Sequence, residues 1–90
     1  MDRKLVVGQI IELVGSEANI NAVSHCFTRL RFRLKDRNLV KEEELKALDA
    51  VYGIYDRGGE LQIVMGNEVS SYYEIAAETL GDRAQGSVDE

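Results

Sequence analysis

The 90-residue chain has no proline and no tryptophan, and only one cysteine and one histidine. A single cysteine excludes an internal disulfide framework and is typical of reducing compartments. Zinc needs about four ligands, and the chain has only two residues of the usual nitrogen and sulfur types. The longest apolar run covers the six residues 50–55, whereas a membrane helix needs about 20. These shortages predict one small, soluble, cytosolic domain without metal or other cofactor.

The charge balance is acidic overall but locally reversed. Asp and Glu number 16 against 11 Lys and Arg, which gives a net charge of −5. This balance argues against non-specific binding to nucleic acid, and we expect no nucleic-acid partner. Residues 29–37 nevertheless contain five basic side chains and one acidic side chain. Positive charge is therefore concentrated immediately after the only cysteine.

The stretch around that cysteine has the period of a β-strand. His25 and Cys26 are adjacent, and arginines follow at every second position. Because strand side chains alternate between two faces, one face would be apolar and the other cationic: Thr28, Leu30, Phe32 and Leu34 against Arg29, Arg31 and Arg33. A thiol beside fixed positive charge ionises more readily, and guanidinium groups bind phosphoryl oxygens. The simpler alternative is a small buried cysteine beside a solvated strand face.

The remaining patterns predict three helices and four strands. Apolar periodicity, caps and turn residues place helices at 2–14, 41–48 and 68–80, and strands at 20–24, 27–34, 51–56 and 61–65. The order α-β-β-α-β-β-α predicts an α+β fold, an open two-layer sandwich. Its four-stranded antiparallel sheet would carry three helices on one face and leave the arginine face in water. We expect a domain over residues 1–81 and a polar tail or linker over 82–90.

Several chemistries of cysteine are excluded by spacing. A Cys-x5-Arg phosphatase loop would need an arginine where the chain has Phe32. A cysteine protease would need a distant histidine, and the only one is His25, whose side chain should point away from that of Cys26 in a strand. A Cys-x-x-Cys redox motif is absent. The chemistry that remains for Cys26 is that of a thiolate that carries an anionic group.

The residues of this stretch resemble a known signature. The stretch reads His25-Cys26-x-Thr28-Arg29-Leu30-Arg31-Phe32-x-Leu34-Lys35-Asp36. It is similar to the phosphocysteine motif of enzyme IIB domains, which belong to the glucose–sucrose family of the bacterial sugar phosphotransferase system. The resemblance covers roughly residues 4–80. Gly15, the helix at 45–48 and Val64-x-Gly66 also lie where that family has similar residues.

The resemblance implies a role for each candidate residue. Cys26 would accept a phosphoryl group from a phosphohistidine on an enzyme IIA domain, and pass it to a sugar bound by the membrane-embedded enzyme IIC domain. Arg29 and Arg31 would serve the transfer. The residues expected near the phosphoryl group are Thr28, His25 and Arg33, of which Arg33 could be only a solvated strand residue. The domain would work at the cytoplasmic face of the cell membrane.

Three further expectations complete this interpretation. Cys26 should be at least partly exposed and lie between the first two strands, because it must meet two partners. If Met1 is the native start, the IIB domain precedes the IIC domain, as in the β-glucoside, sucrose and trehalose branch of the family. The sugar would then be a β-glucoside or related disaccharide. The alternative function is a non-catalytic interaction or thiol-sensor module, in which Cys26 is merely oxidisable.

Overall fold

Three helices and five strands make up the fold. The computed structural model describes residues 2–88. In chain order the elements are α1 (Arg3–Leu13), β1 (Ile20–His25), β2 (Arg29–Leu34), α2 (Glu42–Lys46), β3 (Gly53–Arg57), β4 (Glu60–Val64), α3 (Val69–Leu80) and β5 (Ala84–Ser87). The predicted helices and the first four strands are confirmed to within two residues at each end.

The helix ends follow from local chemistry. Asp2 caps α1, since its Oδ1 accepts hydrogen bonds from the backbone N–H groups of Lys4 at 2.9 Å and Leu5 at 3.3 Å. Gly81 ends α3 with φ at +58°, a conformation that glycine adopts without steric cost. No helix within residues 2–88 is long and apolar enough to cross a membrane.

The sheet has the order β3-β4-β2-β1-β5. Strand β2 lies at its centre, antiparallel to β1 on one side and to β4 on the other. The register places Arg31 of β2 between Ser24 of β1 and Gln62 of β4. The two hairpins are therefore joined through their second strands, and the arginine strand receives neighbours from both.

The prediction of a four-stranded, purely antiparallel sheet was wrong. A fifth strand, β5, pairs in parallel with β1, and the N–H of Val88 donates to the carbonyl of His25 at 2.7 Å. Without β5 the outer edge of β1 would leave its backbone groups unpaired. This strand forms within the predicted polar tail; positions 89 and 90 of that tail lie outside the described residues.

The core lies between the helices and one face of the sheet. Leu30 and Phe32 of β2 are fully buried there, as predicted from the strand period. The helices contribute apolar stripes that cover this face. The buried core includes Val7 and Ile10 of α1, Val14 just after that helix, Leu45 of α2, Val69, Tyr72, Ala76 and Leu80 of α3, and Val23, Leu61 and Ile63 of the sheet.

Candidate functional site

Cys26 lies in the tight turn that joins β1 to β2. Its backbone N–H donates to the carbonyl of Arg29 at 3.0 Å, so the ladder of the hairpin continues one step beyond His25 and Leu30. The carbonyl of Thr28 accepts the N–H groups of Met65 at 2.8 Å and Gly66 at 3.1 Å. The turn is thus tied to the end of β4, and Cys26 lies between the first two strands as predicted.

The predicted exposure of Cys26 was wrong. The residue is buried, with 3% of its surface exposed. Its Sγ donates to the carbonyl of Arg29 at 3.7 Å, on the inner side of a turn in which the chain reverses within a few residues. The thiol is therefore shielded from solvent in the folded domain.

The arginine stripe, formed by Arg29, Arg31 and Arg33, lies on the sheet face opposite the core. Leu30 and Phe32, which alternate with them, are fully buried against the helices. Arg31, at the middle of the stripe, has a side chain only 14% exposed, whereas that of Arg33 is 54% exposed. The stripe is therefore a partly enclosed cationic surface at its centre and a solvated one at its far end.

Strands β3 and β4 supply partners to these guanidinium groups. Arg29 donates from Nη1 to Oε1 of Gln62 at 2.9 Å and lies 4.9 Å from the centroid of the Tyr55 ring. Arg31 donates from Nη1 to Oε1 of Glu60 at 3.3 Å. The other oxygen of Glu60 is 3.7 Å from Nη2 of Arg33. A polar network thus runs along the arginine face.

Sequence reasoning missed Glu60, Gln62 and Tyr55 as part of this site. The signal was present in part, because Leu61 and Ile63 alternate with polar residues. In a strand whose apolar side chains face the core, those polar neighbours lie on the opposite face. That pattern does not say which strand lies beside β2. The pairing of Arg31 with Gln62 is what brings the three residues to the arginines.

His25 points away from the arginines. Its ring lies 4.5 Å from the ring of Tyr73 on α3, and its Nδ1 is 3.1 Å from the carbonyl of Cys26. Because a carbonyl only accepts, Nδ1 carries the proton in this contact. His25 therefore supports the backbone of the turn, and its side chain diverges from that of Cys26 as expected for neighbours in a strand.

Thr28 lies elsewhere than predicted. Strand β2 begins at Arg29, so Thr28 belongs to the turn and is not on the apolar strand face. The backbone N–H groups of Met65 and Gly66 donate to its carbonyl and hold the turn against the end of β4. Phe27, also expected in the strand, is 81% exposed at the turn.

The described residues contain no cluster of metal-ligand side chains, and the depression beside α1 lies away from Cys26. Within residues 2–88 no group of three or more His, Cys, Asp or Glu side chains could bind a metal ion. A depression of about 640 Å³ lies between the start of α1 and the segment before α3, lined by residues such as Arg3, Tyr52 and Tyr72. Neither Cys26 nor the arginine stripe lines it. The chemistry of the described chain is therefore concentrated at the turn and the arginine face.

The comparisons with known proteins all point to one family. Residues 8–40 match the family model described as phosphotransferase system, EIIB. The chain is 38% identical over 80 residues to the beta-glucoside-specific EIIBCA component of Halalkalibacterium halodurans, which covers 89% of this chain and 13% of that protein. It is 42% identical over 73 residues to the trehalose-specific EIIBC component of Bacillus subtilis, which covers 79% of this chain and 16% of that protein.

A third relative and a solved structure extend the match to almost the whole chain. The sucrose-specific EIIBC component of Staphylococcus xylosus is 34% identical over 90 residues, 100% of this chain and 19% of that protein. A domain of the PTS system IIabc component from Clostridium difficile superposes with a TM-score of 0.84 at 27% identity, covering 98% of this chain and 92% of that one.

The chain spans less than a fifth of the length of these three relatives, each of which has EIIB in its name. The motif around Cys26 lies inside the region that matches the family model. The fold, the aligned relatives and the family model agree: this chain is an EIIB domain of the phosphotransferase system, in the glucose–sucrose family.

Proposed function

We propose that Cys26 is the phosphoryl carrier of this EIIB domain. The observation that carries the proposal is the position of the thiol at the end of the arginine strand, directly opposite Arg29 in the hairpin ladder. A phosphoryl group on that sulfur would lie at the start of a cationic stripe. Phosphoryl transfer depends mainly on positioning and charge stabilisation, and forked guanidinium donors supply both.

The first step moves a phosphoryl group from nitrogen to sulfur. The thiolate of Cys26 attacks the phosphorus of a phosphohistidine on an enzyme IIA domain; the S–P bond forms, the N–P bond breaks, and the imidazole nitrogen keeps the electron pair. Charge spreads over the three peripheral oxygens in the transition state. Arg29 and Arg31 would stabilise it, with Thr28 in the same turn as Cys26. His25 faces Tyr73 of α3 and Arg33 lies at the solvated end of the stripe, so neither is assigned a contact with the phosphoryl group.

The second step moves the group from sulfur to a sugar. A hydroxyl of a sugar bound by the enzyme IIC domain attacks the phosphorus and the S–P bond breaks; the departing sulfur keeps the electron pair and takes up the hydroxyl proton, which restores the Cys26 thiol. The relatives named above are specific for a β-glucoside, trehalose and sucrose. We propose a β-glucoside or related disaccharide as the sugar for this chain, and a location at the cytoplasmic face of the membrane beside enzyme IIC.

The burial of Cys26 adds a requirement to this mechanism. With 3% of the residue exposed, Sγ cannot approach a phosphorus atom on another protein without a rotation of the side chain or a shift of the turn. Phe27, which is 81% exposed in the same turn, is the first part of it that a partner would meet. Docking of enzyme IIA therefore has to open the turn for the transfer.

The same burial disfavours the alternative of a thiol sensor. Oxidation of cysteine follows thiolate character and exposure, and an enclosed thiol is a poor sensor for small oxidants. No feature of the described residues favours the sensor over the carrier.

The test is direct phosphorylation of the 90-residue chain. The chain is incubated with an enzyme IIA domain phosphorylated on its histidine, and its intact mass is measured. We expect one acid-stable, iodine-labile phosphoryl group on the wild type and none on Cys26→Ser, because a serine hydroxyl is barely ionised near neutral pH. A Cys26→Ser variant that accepts phosphate at the wild-type rate would refute the proposal.

A further inference from the structure

Glu60 places a negative charge on the arginine face of the sheet. The positive charge of that face should attract anions, so a carboxylate there needs an explanation. It is the first residue of β4, and its side chain is only 15% exposed. It follows the two-residue turn Gly58–Gly59, in which both glycines have positive φ, +58° and +82°, as tight hairpin turns require. The turn fixes the register of β4 and therefore the place of this carboxylate.

Glu60 contacts the central arginine of the stripe. Its Oε1 accepts from Nη1 of Arg31 at 3.3 Å, although the ladder places Glu60 opposite Arg33. The Nε of Arg31 is buried and has no hydrogen-bond partner in the described part of the chain. Among described residues, Glu60 is the only carboxylate within ion-pair distance of Arg31. The orientation of this guanidinium thus depends on the Glu60 contact.

Gln62 extends the contact to the second arginine. It is 2% exposed; its Nε2 donates to Oε1 of Glu60 at 3.3 Å, and its Oε1 accepts from Nη1 of Arg29 at 2.9 Å. A continuous chain of hydrogen bonds therefore runs from Arg31 through Glu60 and Gln62 to Arg29. Buried polar groups with defined partners fix side-chain orientation more firmly than exposed ones.

We propose that Glu60 is a positioning residue for phosphoryl transfer, which holds Arg31 directly and Arg29 through Gln62 in the orientation that the transferred group requires. This inference rests on the proposed phosphoryl transfer at Cys26. Glu60 acts through the placement of its oxygens, because its charge by itself would weaken the attraction of the stripe for an anion. Small errors in the placement of catalytic groups carry large costs in rate.

The test separates the geometry of Glu60 from its charge. Glu60→Gln keeps an oxygen acceptor at the same reach and removes the charge, whereas Glu60→Asp keeps the charge and withdraws the oxygens by one methylene. Transfer from a phosphorylated enzyme IIA domain to the 90-residue chain is followed in single turnover, over a range of donor concentrations. Asp56→Asn is the matched control, since it removes a carboxylate paired with Arg37, away from the stripe.

We expect Glu60→Asp to lower the maximal rate by about tenfold, and Glu60→Gln to stay within about threefold of the wild type. Asp56→Asn should match the wild type. The side-chain Nε–H signal of Arg31, observed by NMR, should be sharp in the wild type and Glu60→Gln, and exchange-broadened in Glu60→Asp.

Three results would overturn the inference. Glu60→Asp could transfer at the wild-type rate; Glu60→Gln could be the more impaired variant, which would make the charge the active property; or the loss could be confined to the donor concentration at half-maximal rate, which would make Glu60 a docking contact. Failure of the carrier proposal itself looks different, because the wild-type chain would then accept no phosphoryl group at Cys26.

Discussion

At the scale of single residues, Arg29 is the side chain that links the turn to the network on the sheet. Its carbonyl accepts from Cys26, while its guanidinium bonds to Gln62 and lies over Tyr55. A flat guanidinium can stack on a ring and donate in its own plane at the same time. A lysine ammonium at this position would keep the charge without that planar arrangement.

Arg29→Lys should therefore lower phosphoryl transfer by about a hundredfold, the scale for loss of one positioned donor. Because the residue lies on the face opposite the core, Tm should change by no more than about 5 °C. Single-turnover transfer and thermal unfolding measure the two effects. Arg57→Lys, an exposed arginine of β3, is the control and should leave both unchanged. Full activity in Arg29→Lys would reduce the arginines to a general positive field.

The enclosed thiol of Cys26 gives a second prediction at this scale. With 3% of the residue exposed, iodoacetamide should alkylate Cys26 at least about tenfold more slowly than glutathione at the same pH, because reactivity requires access as well as thiolate. Unfolding the chain in urea should remove the protection. Intact mass at timed intervals gives the rate. Alkylation as fast as that of glutathione would show that the turn opens freely without a partner.

At the scale of elements, β2 is the strand that separates the core from the site. Its odd positions present arginines to one face, and its even positions present Leu30 and Phe32 to the other. The antiparallel partners on both sides satisfy its backbone groups. Mutations on the two faces should therefore have different consequences, for chemistry on one and for folding on the other.

Leu30→Ala should destabilise the domain by about 2–5 kcal/mol, the usual cost of a large-to-small change in a packed core. Leu30 is fully buried, so the variant leaves a cavity against the helices. Urea unfolding measures the loss. Leu39→Ala is the matched control, because Leu39 is 50% exposed and should cost far less. Equal effects of the two substitutions would contradict the assignment of the strand faces.

Strand β5 is the second element that bears on the site. Its Gly86 N–H donates to the hydroxyl of Tyr73 at 2.6 Å, and the Tyr73 ring contacts His25. His25 in turn bonds to the carbonyl of Cys26. The last strand is therefore connected to the turn of the candidate carrier through one tyrosine and one histidine, on the helix side of the sheet.

At the scale of the whole molecule, stability depends on pH through an ion pair that joins the two hairpins. Arg37, after β2, donates to both carboxylate oxygens of Asp56 on β3, at 2.7 and 3.0 Å. These hydrogen bonds lower the pKa of Asp56 and raise the pKa of Arg37. A carboxyl whose pKa is lower in the folded chain stabilises it above the unfolded pKa of about 3.9. That contribution is lost as the pH falls through the folded pKa.

Asp56→Asn should therefore cost stability at neutral pH and cost progressively less in acid. The Asp56 side chain is 60% exposed, so solvent screens the pair and limits the loss at pH 7 to about 1 kcal/mol. The measurement is urea unfolding of wild type and variant at neutral pH and at several acidic values. A difference that persists below the folded pKa of Asp56 would show that the substitution acts by some other contact.

The three helices, the first four strands, the two faces of β2 and the family could all be predicted from the amino-acid sequence. Period-two alternation at 29–34 is a local property of a strand, so the separation of Leu30 and Phe32 from the arginines could be predicted and is confirmed. The ends of two helices also follow from local chemistry, namely the side-chain cap at Asp2 and the positive φ of Gly81. The motif from His25 to Asp36 indicated the EIIB family, to which the comparisons also assign the chain.

The neighbours of these elements in space could not be predicted from local sequence patterns. Pairing of β2 with β4 brings Glu60 and Gln62 to the arginines, and no local pattern encodes which strands become neighbours. Strand β5 forms because the edge of β1 offers backbone groups, which can pair with a strand of almost any side chains. The burial of Cys26 follows from the closure of its turn by hydrogen bonds to Arg29 and to the end of β4, contacts that exist only once the sheet is assembled.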